Sequence, residues 1–105
     1  HPEYEVVNMS IEDQKELARK GVYFERCFYS IATGKIKPED IAQAIREVGV
    51  ESTIIATDLG QVTNPDPVSG LSMYVKEILR CGFTEREIEI MIKENPAKLL
   101  EINNV

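Results

Sequence analysis

The residues that most often hold metals or attack substrates are scarce here: the chain has one histidine and two cysteines in 105 residues. Cys27 and Cys81 are too few and too far apart for a metal knuckle or a disulfide scaffold. Their apolar neighbours mark them as buried free thiols of an intracellular, cytoplasmic protein. No Lys/Arg cluster or basic stripe relieves a net charge of −6, which argues against a nucleic-acid backbone as partner. No apolar run approaches the roughly 18–20 residues that cross a bilayer. Internal repeats, low-complexity tracts and a signal-peptide pattern are also missing.

What is present is ordinary for a globular protein: 43% hydrophobic and 29% charged residues. That length supports one domain with one modest core. The chain opens His1-Pro2-Glu3 without an initiator methionine, and so reads as a piece of something longer. A terminal histidine can chelate copper, but that arrangement recruits a second imidazole, which this sequence does not hold.

Pro2 to Met9 reads as a loop. Ser10 and Asp13 are spaced like a capping box, so a helix runs from there, with Ile11, Leu17 and Ala18 inward, to a stop at Gly21. Val22 to Phe28 is short, aromatic and β-branched, as a strand should be. It places Tyr23, Glu25 and Cys27 on one face, and Val22, Phe24, Arg26 and Phe28 on the other. Tyr29 to Lys37 reads as a loop. Pro38 opens a second helix carrying Ile41, Ala44, Ile45 and Val48 to Gly49. Thr53 to Thr57 is the second strand, and the order implies a βαβ unit with parallel pairing. After it comes a long loop, Asp58 to Ser69, and then helices with Leu71, Tyr74, Val75, Ile78 and Leu79 inward. Thr84 and Glu87 form a capping box for the next helix. Asn95-Pro96 is expected to break that helix before a final turn with Leu99 and Leu100 inward, and the tail Asn103 to Val105 to fray.

The feature that invites a functional reading is STIIATDLGQ, Ser52 to Gln61: an apolar strand ending in Asp58, then a glycine loop. Carboxylates at the carboxyl ends of buried parallel strands are where such sheets place chemistry; Asp58 as a plain turn residue is the other reading. Glu25 could reach a metal or substrate from its polar face, or form a structural ion pair. Gln61 and Asn64 could contact substrate, or simply make turns beside their prolines. Cys27 has no histidine near it in sequence to support a thiolate.

Two stretches, TDLGQVTNP and GFTEREIEIMIKENPAKLLEI, resemble the last strand and closing helices of metal-dependent hydrolases of the amidohydrolase superfamily, in its phosphotriesterase-like and TatD-type branches. HPE at the start resembles a histidine ending an earlier barrel strand. The resemblance implies an α/β fold: residues 1–105 as one partial domain, the C-terminal part of a (β/α)8 TIM barrel, about the last three βα units of a fold that takes about 250 residues. It further implies hydrolysis of an amide, ester or phosphoester by metal-activated water. Asp58 would be the catalytic base and a metal ligand, His1 a second ligand, and Glu25, Gln61 and Asn64 substrate contacts. The metal would be divalent, zinc first, and the substrate a small molecule. The other expected ligands would precede His1, and open strand edges would pair with the missing part of the barrel or with another copy. The second reading is a small non-catalytic α/β module for binding or assembly.

Overall fold

A computed structural model describes residues 1–102; the expected fraying of Asn103 to Val105 lies outside them. After an irregular N-terminal segment come α1 (Ile11–Arg19), β1 (Phe24–Cys27), α2 (Tyr29–Ala32), α3 (Pro38–Val48), a 3₁₀ turn (Val50–Ser52) and β2 (Thr53–Ala56). The chain ends in α4 (Pro67–Arg80), α5 (Glu85–Glu89), a π-helical turn (Ile90–Glu94) and α6 (Asn95–Leu99).

β1 and β2 pair in parallel, Phe24 opposite Thr53 and Cys27 opposite Ala56, as the intervening crossover implies. They make the whole sheet among the described residues, and it is neither closed nor curled. The barrel expectation is therefore corrected. This is a small, mostly helical domain around an open two-stranded sheet, not the last part of a (β/α)8 TIM barrel. Two strands of four residues are too short and too few for the tilt and stagger that closure requires. The motifs behind the resemblance are local: a carboxylate after a strand and an Asn-Pro helix start, each with its own structural use below.

Local chemistry explains most of the helices. The Ser10 hydroxyl accepts from Asp13 N–H at 3.1 Å and opens α1. Pro38 sits in the first turn of α3, where its missing N–H is not needed, and Lys37 N–H donates to the Asp40 carboxylate at 3.4 Å. The Asp66 carboxylate accepts from Ser69 N–H at 3.0 Å, so α4 begins at Pro67, inside the stretch expected to be loop. Thr84 and Glu87 exchange their capping bonds at 2.9 and 3.1 Å. The short α2 lies inside the expected loop Tyr29 to Lys37, because four residues carry too little periodicity to mark a helix.

The core lies between the sheet and α3, α4 and α5: Phe28, Ile41, Ile45, Ile55, Tyr74, Ile78, Phe83, Ile88 and Met91. Each such side chain stabilises the fold by about 1.5–3 kcal/mol through burial. Arg46 lies over the Phe83 ring, 3.7 Å from its centroid, and pairs with Glu87, fastening α3 to α5.

Asn95-Pro96 does not break the last helix. Pro96 has no N–H to give the carbonyl four residues back, and the chain widens into the π turn across Ile90–Glu94 and continues. Asn95 is fully buried, and its amide donates to the carbonyls of Val50 at 2.9 Å and Thr53 at 2.6 Å. Ala56 C=O accepts from Phe28 N–H, so Thr53, on the opposite parity, presents its carbonyl away from β1. Asn95 thus satisfies one outward carbonyl of β2, that of Thr53. Leu99 and Leu100 point outward, against expectation, at 55% and 68% exposure, because α6 presents Asn95 and Ala97 to the core instead. No helix among the described residues is long and apolar enough to cross a membrane.

Asn95→Ala should lower stability by about 1–3 kcal/mol, since two carbonyls lose their donor in a largely dry site. Urea denaturation measures it, and an unchanged midpoint would remove Asn95 from this role.

Candidate functional site

The site forms at the carboxyl ends of the two strands, where the N-terminal segment crosses them. The anchor of that segment is Arg26, a β1 side chain with no exposed surface. Its guanidinium pairs through Nη1 with Glu3, its Nε donates to Thr53 Oγ1 at 3.3 Å, and it lies 5.5 Å from the Phe24 ring centroid. Arg26 is the charged exception on the strand face it shares with Val22, Phe24 and Phe28. The exception is the clasp that ties residues 1–9 to the sheet.

With Glu3 pinned, His1 reaches the strand ends. His1 Nε2 lies 3.3 Å from Asp58 Oδ2 and 3.8 Å from Cys27 Sγ. Cys27 Sγ in turn donates to Glu25 Oε1 at 3.5 Å. One ligand atom each from His1, Glu25 and Cys27 lie within 4.8 Å of one another. Tyr4, 5.9 Å from the His1 ring, and Tyr29, 6.5 Å from Tyr4, wall an open cleft of about 310 Å³ with His1, Asp58 and Gln61.

The fold therefore gathers His1, Asp58 and Glu25 in one place. Asp58 follows β2 with φ +54°, the left-handed region, which Asp tolerates better than most residues. Glu25 has no arginine partner among the described residues; it is the acceptor for Cys27. Gln61 and Asn64 lie on the loop beyond. Gln61 Nε2 donates to the Asp58 carbonyl at 3.2 Å, and its Oε1 accepts from Asn64 Nδ2 at 2.9 Å.

Sequence alone gives no sign that Cys27 belongs to this site. Its two-residue spacing from Glu25 put both on one face, but the histidine beside it comes from 26 positions away. Its thiol is pushed up to about 12, first by burial, then by the Glu25 charge and by its bond to that carboxylate. Near neutral pH it is a protonated thiol, not a nucleophile.

The hydrolase reading falls with the barrel that implied it: the arrangement here is a His/Glu/Cys cluster, not a barrel active site. The donors can hold a divalent metal. No family model matches the chain, and no curated protein or solved structure matches it either.

Because the folded state binds the Cys27 proton more tightly than the unfolded chain, whose thiol titrates near about 8.5, the contribution to stability is full below that pH. It is lost as pH rises from there through about 12. Between about pH 8 and about pH 10.5 the loss should be on the order of 1–3 kcal/mol. Urea unfolding at both values, beside a Cys27→Ala variant, isolates it: the variant should have the flatter pH dependence.

Proposed function

We propose that this chain is a metal-binding domain that holds one divalent transition-metal ion, zinc first, on His1 Nε2, the Cys27 sulfur, whose proton passes to solvent as the ion binds, and the Glu25 carboxylate, with Asp58 as fourth donor. The observation that carries this is the convergence of three different donor atoms within 4.8 Å, from residues 1, 25 and 27.

Mixed nitrogen, sulfur and oxygen donors suit a borderline-soft ion such as Zn²⁺ better than Mg²⁺ or Ca²⁺, which take oxygen alone. The charge supports the same reading. Two carboxylates stand beside one imidazole and a buried thiol, and a dication would compensate the negative charge the cluster carries once the thiol gives up its proton. Asp58 already pairs with the nitrogen the metal would take, so a small shift of its carboxylate would complete a four-donor set. The ion's effect is structural: it would bond the N-terminal segment to the strand ends, adding to the Arg26–Glu3 clasp.

Titration with Zn²⁺, and with Co²⁺ as a spectroscopic stand-in, should show one ion per chain and a thiolate-to-cobalt charge-transfer band. Cys27→Ser should abolish that band. Cys27→Ser and Glu25→Gln should each weaken binding by more than the roughly 10–100-fold typical of groups outside the ligand shell. A wild-type chain that takes up neither ion would refute the proposal, as would a band surviving Cys27→Ser.

A further inference from the structure

Gly70 lies in the first turns of α4, buried, with φ outside the left-handed region. Its backbone asks for no glycine, and glycine within a helix is ordinarily a cost. The reason for it is space. A Cβ at position 70 would stand 2.1 Å from Leu59 Cδ1, 3.5 Å from Leu59 Cγ and 3.7 Å from Phe28 Cδ2. Leu59 occupies the place a side chain would take, and from there packs against the core.

Leu59 is the residue after Asp58, whose left-handed backbone must be held by its surroundings. Two sets of contacts hold it. On the side-chain side, Leu59 is seated against α4, and its N–H donates to Thr57 Oγ1 at 3.3 Å. On the backbone side, Gln61 donates to the Asp58 carbonyl, and Asn64 holds Gln61.

We propose that Gly70 is a positioning residue: the space it leaves seats Leu59, and that seat holds Asp58 in its left-handed turn against His1. Gln61 and Asn64 belong to the same latch, as braces of Asp58. The consequence for metal affinity rests on the metal-site reading above; the positioning itself does not.

The test uses the 105-residue chain in four forms: wild type, Gly70→Ala, Gly70→Ala with Leu59→Val, and Gln61→Ala. Valine lacks the δ carbons that would collide with the new methyl but keeps a contact at the distance of Cγ. The first readout is the strong intraresidue HN–Hα NOE at Asp58 in metal-free protein, the mark of a positive φ; the second is Co²⁺ affinity. Circular dichroism reports that each variant is folded.

In Gly70→Ala and Gln61→Ala the NOE should weaken and affinity should fall about 10–100-fold, as for loss of a group that orients a ligand. The Leu59→Val double variant should recover both. An undiminished NOE in folded Gly70→Ala, or a double variant that recovers nothing, overturns the latch. A lost and rescued NOE in a chain that binds no Co²⁺ supports the latch and refutes the metal site. A lost NOE with unchanged affinity overturns the claim that the latch serves the metal.

Discussion

The structure turns on a buried charge. Arg26 has no exposed surface, yet it stands on a short strand of a two-stranded sheet. Burying an unpaired guanidinium would cost several kcal/mol, so it must be met by an opposite charge. Glu3 supplies it, Thr53 takes the Nε hydrogen, and Phe24 offers its ring face. Nη2 is left without a partner among the described residues. The pair is therefore weak evidence for stability; its structural effect is to place residues 1–9 through Glu3. That placement brings His1 to Cys27 and Asp58.

Tyr74 extends the same logic. Its hydroxyl, buried with the core, donates to the Arg26 carbonyl at 3.0 Å and so fixes α4 to β1. At the other side of the sheet Asn95 does the equivalent for β2. A sheet this small leaves backbone groups unpaired at its edge, and at β2 a side-chain amide takes over work that a further strand does in a larger sheet. The π turn belongs here too, since it carries the helix past Pro96 while Asn95 reaches Val50 and Thr53.

At the strand ends the electrostatics are opposite in kind. Around Arg26 a cation is sealed in and answered; around Cys27 negative groups gather with one imidazole among them. Glu25 and Asp58 are both exposed enough to stay solvated, while Cys27 is not, so the burden of the arrangement falls on the thiol, which keeps its proton. A dication would balance the two carboxylates and would make the thiol easier to deprotonate.

By itself the sequence determined the local elements. Ser10, Pro38 and the Thr84–Glu87 box mark helix starts because capping is chemistry between residues three apart. The two strands show as short β-branched or aromatic runs, and the crossover between them implies parallel pairing. Asp58, His1 and Glu25 were legible as chemistry-bearing residues, but not what they are to one another. Tertiary structure decided that, together with whatever depends on partners distant in sequence. Arg26 meets Glu3 across 23 positions, His1 meets Cys27 across 26, and Asn95 meets Val50 across 45. It also decided that the sheet stays open, which no local pattern encodes. The resemblance to a barrel came from two local motifs, and local motifs constrain their own backbone, not the number of strands that pair around them.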